Sequence, residues 1–149
     1  MRAWVIGVLA LAGFVPGADA AGKPVIEIHA VVDCQAADSV KPADPAADGD
    51  CLARAALVKG ADFTGIGHVR FGRGQDMLVL AMNDPARRRF YDYLRAHADK
   101  TVAVLVDGHV VSLPVVSEPS QPDALEIPGL TGGQIDLLVT RFRAPAHGG

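Results

Sequence analysis

Short apolar and β-branched runs separated by turn residues recur along the chain, and they predict a fold built largely from strands. The clearest run is Thr101–Val106, which is followed by Asp107-Gly108 and by a second run from His109 to Val116. Because glycine tolerates the positive φ of a type I′ turn, this arrangement predicts a β-hairpin. Pro24–Val32 predicts another strand, since it contains a β-branched run.

The middle of the chain predicts a second strand pair. Gly65–Phe71 and Met77–Met82 are two runs joined by a glycine-containing turn, and the second run is apolar on both faces, as in a central strand. Leu52–Val58 is ambiguous. Its alanine and leucine content favours a helix ended by Gly60, whereas its length also permits a strand.

The first predicted helix follows Met82. We expect Asp84 to be its N-cap and Pro85 to occupy the first helical position, where the missing N–H costs nothing. The apolar period of 3.6 residues predicts a buried stripe of Ala86, Phe90, Tyr93, Leu94 and His97.

A second helix is predicted near the end of the chain, after a short candidate strand at Ala124–Ile127. Thr131 and Gln134 have the spacing of a capping box. The apolar residues of this helix that we expect to face inward are Ile135, Leu138 and Phe142. The pattern therefore predicts an α+β fold, with an antiparallel or mixed sheet and two main helices packed on one face.

Composition excludes two broad classes of protein. Half of the 149 residues are apolar, which is enough for one domain that buries about two-thirds of its unfolded surface. Charged residues make up 21% of the chain and the net charge is −3. A disordered chain or a nucleic-acid-binding protein needs a much more one-sided charge.

The first 20 residues have the organisation of a secretory signal peptide. Met1-Arg2 is a short, positively charged N-terminal region. The apolar run Ala3–Val15 that follows has 13 residues, fewer than the roughly 20 that span a bilayer. Pro16 and the small residues Ala18 and Ala20 predict cleavage before Ala21; an uncleaved anchor helix is the alternative. No later run reaches membrane length, so we expect a periplasmic or secreted protein without a membrane span after cleavage, ending in a disordered tail at 144–149.

Two cysteines in an exported chain predict a disulfide. Cys34 and Cys51 enclose 16 residues rich in Ala, Asp and Pro. Closing this 34–51 loop contributes roughly 3 kcal/mol on the chain-entropy model. Metal ligation and a catalytic thiol are the alternatives, but no His or further Cys lies at ligand spacing from either cysteine.

A distinctive spacing of residues starts near Met77. It reads Asn83, Ala86, Phe90, then Lys100, Ala103, Asp107-Gly108, Val110, Ser112 and Pro114, and it continues through Glu118-Pro119, Ile127, Gly129 and Thr131. Earlier matches are Lys59–Phe63 and Glu27–His29. This run resembles the periplasmic head in the first large loop of SecD, the protein-export subunit.

The resemblance implies a SecD-head-like domain over residues 21–143 and favours a strand for part of Leu52–Val58. It departs from the family at Ser120–Asp123, which replaces a glycine-rich segment. SecD also has membrane helices that use the proton gradient together with SecF, so the resemblance implies the head module and not the export motor. The family's head is thought to contact translocating chains, which implies a polypeptide, an envelope protein or the export machinery as the partner.

No motif in the chain predicts catalysis, a cofactor or a metal site. The five His residues lack ligand spacing, although His68 and His109 lie near turns and are candidates to meet in space. Ser112 and Ser117 lack a nucleophile-elbow context. The Gly-x-Gly pair at Gly65 does not lead from a strand into a helix N-terminus, as a phosphate loop does. We therefore expect no enzymatic activity.

The strongest charge cluster lies on the first predicted helix. Arg88 and Arg95 are seven residues apart and so about two turns on, Arg87 lies on roughly the same side, and Tyr91 lies between them. Because Arg and Tyr are enriched at protein interfaces, these four residues form our predicted partner-binding surface. A solvated helix face is the alternative.

The sequence thus predicts a non-catalytic, exported SecD-head-like domain that binds a polypeptide or an envelope partner, linked to protein export. The hairpin at Asp107-Gly108 also predicts an open strand edge beside Pro114, to which an extended chain can add. The alternative function is a small secreted enzyme or ligand-binding protein that reuses the fold.

Overall fold

The computed structural model describes residues 24–42, 49–97, 101–116 and 124–143. The strands are β1 (Ile26–Val32), β2 (Ser39–Val40), β3 (Cys51–Lys59), β4 (Phe63–Phe71), β5 (Gln75–Met82), β6 (Val102–Val106), β7 (His109–Ser112) and β8 (Ala124–Ile127). The helices are α1 (Asp84–Ala96) and α2 (Gly132–Arg143). The predicted signal peptide at 1–20, its cleavage site before Ala21, the tail at 144–149, Lys100 and the segment 117–123 lie outside the described residues.

The strands form two antiparallel sheets, and the α+β class is confirmed. A five-stranded sheet has the order β2-β3-β1-β6-β7, and a three-stranded sheet has the order β4-β5-β8. The sequence pattern suggested a single sheet. Between β3 and β4 the chain passes through one turn of 3-10 helix at Gly60–Asp62, and β4 then enters the second sheet.

The segment that sequence left ambiguous is a strand. Residues Leu52–Val58 lie within β3, which pairs with β1 on one side and with β2 on the other. Leu52 and Val58 are buried. Pairing on both sides satisfies the backbone of this segment, and this tertiary gain outweighs the preference of alanine for helices.

One main core lies between the two sheets and the two helices. Its members from the sheets include Ile28, Leu80 and Val104, and both helices contribute to it. A smaller cluster on the opposite face of the five-stranded sheet contains Leu52 and Leu105. Because side chains of a strand alternate between faces, β6 supplies residues to both clusters.

Helix α1 begins at Asp84, one residue earlier than predicted. Asn83, and not Asp84, is the N-cap, and its side-chain oxygen accepts a hydrogen bond from the backbone N–H of Ala86 at 2.9 Å. Pro85 follows Asp84 as the second helical residue, a position in the first turn where a backbone N–H would have no partner in the helix, so the missing N–H of proline costs nothing. The prediction of an N-cap followed by a proline in the first turn was correct, but the N-cap lies one residue earlier than predicted.

Three other local predictions are confirmed: the disulfide, the turn at Asp107-Gly108 and the capping box of α2. Cys34 and Cys51 are disulfide-bonded, with Cα atoms 5.1 Å apart. Asp107 has φ 50° and Gly108 has φ 85°, the positive values that a type I′ turn requires. In the capping box of α2, the Thr131 hydroxyl accepts from the backbone N–H of Gln134, whose side-chain oxygen accepts from the backbone N–H of Thr131.

Candidate functional site

The predicted surface on α1 is not a continuous exposed patch. Tyr91 is 0% exposed and packs edge-on against Phe90, with 5.1 Å between ring centroids. The prediction that Tyr91 is an exposed residue of the α1 surface is therefore wrong. The buried side of α1 contains Ala86, Phe90, Tyr91 and Leu94, whereas Tyr93 is only half-buried and His97 is exposed. Compared with the predicted orientation, α1 is rotated so that Tyr91 faces the core, because core residues pack against that side of the helix.

Most arginines of α1 already have acidic partners. Arg87 pairs with Asp84 at 3.0 Å, and Arg95 pairs with Asp92. Arg89 pairs with Asp62, the residue that precedes β4. Arg88 is exposed and has no ion pair with another described residue. The binding role of Arg87, Arg88 and Arg95 stays a prediction, and Arg88 is the member whose charge is least compensated.

A cleft of about 450 Å³ opens beside the three-stranded sheet. Its lining contains residues 124–126 of β8 with Pro128, and residues 114–116, which follow β7. Met77 and the buried ring of Tyr91 complete the lining. Glu126 is the only charged side chain among the described lining residues. A site for a small polar molecule needs several convergent polar groups, and this lining is mainly apolar.

Two contacts hold the end of the cleft in place. The Ser112 hydroxyl donates a hydrogen bond to the carbonyl oxygen of Pro128 at 2.6 Å. Gly129 lies against Ser112 with φ 104°, and a Cβ at this position would lie 3.4 Å from the Ser112 oxygen. Ser112 therefore joins the segment after β7 to the segment after β8, a structural role that occupies its hydroxyl.

The hydroxyl of Tyr91 is buried without a hydrogen-bond partner among the described residues. Burial raises the pKa of Tyr91, and the nearby positive charge of Arg87 opposes this rise. An unsatisfied buried hydroxyl costs free energy, so this group opposes folding while its ring supports it.

A charged cluster joins the β4–β5 hairpin to α2. His68 contacts Asp76 through Nε2 at 2.6 Å and Asp136 through Nδ1 at 2.8 Å. Arg70 donates to the same Asp76 oxygen at 2.9 Å. At the start of α2, Gly132 permits close approach, since a Cβ there would lie 3.1 Å from Asp76 Oδ2. The hydrogen bonds that His68 donates to Asp76 and then to Asp136 raise the pKa of His68, and the hydrogen bonds that Asp76 accepts from Arg70 and His68 lower the pKa of Asp76.

This cluster predicts that stability falls as the pH rises above 6.5 and through the pKa of folded His68. The pKa of folded His68 lies above its ordinary 6.5, so its stabilising effect is complete below 6.5 and is lost as the pH rises through the folded value. Above that pH the neutral ring has one N–H and cannot donate to both Asp76 and Asp136. We expect the His68 ring protons to titrate above 6.5 in an NMR experiment, and the alkaline decrease in melting temperature to be smaller in His68→Gln.

His109→Gln is the matched control, because His109 is an exposed histidine outside this cluster. It should keep the parental dependence of melting temperature on pH. A His68 pKa at or below 6.5 would contradict the prediction. At the acid end the sign reverses: the lowered pKa of Asp76 stabilises the fold above its ordinary 3.8, and this contribution is lost as the pH falls through the folded value.

Asp107 connects three parts of the fold. Its Oδ2 accepts from the guanidinium of Arg141 on α2 at 2.9 Å, and its Oδ1 accepts from the backbone N–H of Val25 at 2.9 Å. The Asp107 N–H in turn donates to the Val25 carbonyl at 2.8 Å. Arg141 is buried, with 8% of its surface exposed. The sequence explained Asp107 by its turn alone, and the structure adds the attachment of α2 and of the start of β1.

Sequence reasoning did not find the His68 cluster. The expected approach of His68 to His109 is replaced by contacts to two aspartates. The register of the hairpin was the available signal, because Arg70 lies directly opposite Asp76. The contribution of Asp136 has no local signal, since it comes from α2, 68 residues away along the chain.

No group of three or more potential metal ligands occurs within the part of the chain that the structure describes. In the same part, neither helix has the length and apolar character needed to cross a membrane.

Comparisons with known proteins agree on one family. The family model "SecDF, P1 head subdomain" matches residues 38–143. The protein translocase subunit SecDF of Brucella abortus is 32% identical over 82 residues, which are 54% of this chain and 11% of that protein. The chain thus spans about a tenth of the length of this relative.

Solved structures of SecDF share the fold. A structure of the membrane component SecDF that enhances protein export matches with a TM-score of 0.62 and 16% identity, over 85% of this chain and 64% of that chain. SecDF from Thermus thermophilus matches with a TM-score of 0.54 and 18% identity, over 85% of this chain and 20% of that one. The sequence match over residues 38–143, together with this likeness of fold, establishes that the chain belongs to the SecDF P1 head subdomain family.

Proposed function

We propose that this chain is a non-catalytic module of the cell envelope that binds extended polypeptide in connection with protein export. Membership of the SecDF P1 head family supports the link to export, since the matched relatives are translocase components. The module acts in the periplasm or after secretion, where the Cys34–Cys51 disulfide is stable.

The observation that carries this proposal is the apolar cleft beside strands at the ends of both sheets. β7 is the last strand of the five-stranded sheet, and β8 is the last strand of the three-stranded sheet. Residues 114–116 after β7 and residues 124–126 of β8 border the same cleft. Edge strands bind extended chains through main-chain hydrogen bonds, and apolar walls accept their side chains.

Positive charge on α1 adds a salt-sensitive component to binding. Arg87, Arg88 and Arg95 are the proposed residues, and Arg88 contributes most because Asp84 and Asp92 compensate the other two. Attraction between exposed charges is screened at high ionic strength. Binding should therefore be tighter at low salt.

The test uses a permanently unfolded and acidic probe, reduced, alkylated and succinylated lysozyme, with binding measured by fluorescence anisotropy at low and high salt. We expect weak binding that Arg88→Ser reduces at low salt. Arg95→Ser should have a smaller effect, because Asp92 already compensates the charge of Arg95 in the parent protein. Both variants should melt within a few degrees of the parent, since exposed charges contribute little to folding.

Two results would count against this proposal. A parent protein that does not bind unfolded lysozyme at either salt concentration would exclude polypeptide binding. Parental binding by a protein with both Arg88→Ser and Arg95→Ser at low salt would exclude the role of the α1 arginines. The alternative of a small-molecule site would gain support only from a ligand that occupies the cleft in competition with unfolded protein.

A further inference from the structure

We infer that the cleft between β8 and residues 114–116 receives an extended, partly basic polypeptide segment, which pairs with β8 as a fourth strand of the three-stranded sheet. The inference rests on the proposed function and deepens it, because it assigns the contact to one edge and specifies the chemistry of the segment. Three observations support it: the open backbone of β8, the apolar wall opposite, and the charge of Glu126.

The outer edge of β8 has backbone groups available for pairing. Only β5 pairs with β8, through the register Leu78–Ile127 to Ala81–Ala124. In an antiparallel pair, every second residue directs its N–H and C=O away from the partner strand. No hydrogen bond joins these outward groups to another described residue. The edge of β8 is therefore a template for main-chain pairing.

The opposite wall is apolar and accessible. Val115 is 73% exposed although it is a large aliphatic residue, and it lies beside Pro114 in the lining. Met77 contributes a flexible thioether side chain, which adapts to different apolar groups. Because the side chains of an added strand alternate in direction, every second side chain of the segment can contact this wall.

Glu126 makes the cleft negatively charged. It lies within β8, is exposed, and is the only charged side chain among the described lining residues. A Lys or Arg on a segment paired with β8 comes next to this carboxylate, whereas an acidic residue is repelled by it. The expected segment therefore combines alternating apolar residues with at least one basic residue.

The probe is a fluorescein-labelled nine-residue peptide of alternating Val and Ser in which two Ser are replaced by Lys. Two control peptides carry Glu in place of Lys, or N-methyl groups on alternate residues that remove backbone donors. We expect the parent to bind the Lys peptide, and each control peptide to bind at least about tenfold more weakly. Hydrogen exchange should slow at residues 124–127 when the Lys peptide is bound.

Three variants locate the site. Val115→Lys should weaken binding of the Lys peptide by about tenfold or more, while Leu137→Lys should leave binding unchanged. Leu137 is the matched control because it is also an exposed aliphatic residue, at 42%, but it lies on α2. Glu126→Lys should reverse the preference from the Lys peptide to the Glu peptide.

The outcomes separate this inference from the proposed function. If the parent binds unfolded lysozyme but Val115→Lys and Leu137→Lys bind the Lys peptide equally, the inference is overturned and the proposed function stands. If the parent binds neither probe, both fail. If Val115→Lys instead abolishes a dimer of this chain with which the peptide does not compete, the cleft is a self-association surface and the inference is also overturned.

Discussion

Replacing Tyr91 by alanine is expected to lower the free energy of unfolding by about 4 kcal/mol, because the ring is completely buried and its removal leaves a large cavity. Tyr91→Phe should leave stability unchanged or raise it. Phenylalanine keeps the ring and its contact with Phe90, and it removes a hydroxyl that has no described hydrogen-bond partner. Urea denaturation of the parent and both variants gives the measurement.

The contrast between the two variants separates a core role from a binding role. In Tyr91→Phe, binding of unfolded lysozyme should equal that of the parent, because the hydroxyl does not reach the surface. A Tyr91→Phe protein that is less stable by more than about 1 kcal/mol would show that the hydroxyl is satisfied in solution, as a buried water can achieve. A Tyr91→Ala protein as stable as the parent would contradict the placement of the ring in the core.

Replacing Asp107 by alanine is expected to destabilise the protein by about 3 kcal/mol, because it removes the carboxylate that accepts a hydrogen bond from the buried guanidinium of Arg141. The same change removes the acceptor for the Val25 N–H. It also places alanine at φ 50°, a backbone conformation that Asp and Asn adopt more readily than Ala. Thermal and urea unfolding measure the total effect.

Two control variants divide this effect into its parts. Asp107→Asn keeps an oxygen acceptor and the tolerance for positive φ but loses the charge, so it should be intermediate between the parent and Asp107→Ala. Asp92→Ala removes the exposed partner of Arg95 and should change the free energy of unfolding by less than about 1 kcal/mol. If Asp107→Ala were no more destabilising than Asp92→Ala, the buried pair would not support the fold.

Features encoded within a few residues were predictable. The Asp107-Gly108 turn depends on two adjacent residues that accept positive φ, and the Thr131–Gln134 capping box depends on a spacing of three. The pairing of Cys34 with Cys51 was predictable because the chain has two cysteines and its first 20 residues predict a signal peptide. In each case the physical cause acts over a short segment or concerns a unique pair.

Features that depend on how helices and strands pack against one another were less predictable from the sequence than these local features. The periodicity of α1 indicated an apolar side, but Tyr91 and Tyr93 have similar character and lie on opposite flanks of Phe90. Only the packing of the core against α1 decided that Tyr91 would be buried and Tyr93 would be half-buried. The predicted Arg–Tyr surface was wrong at Tyr91 for this reason.

The α+β class, the hairpins, the capping box of α2 and the likeness to the SecD head were predictable from the amino-acid sequence, because these follow from local backbone preferences and from residue spacing. The tertiary structure decided the division into two sheets, the strand at Cys51–Lys59, and the contacts of His68 and Asp107 with α2. It also brought β8 and residues 114–116 together around one cleft. These features join segments far apart along the chain, and their free energy comes from burial and hydrogen bonding that exist only once the segments have packed.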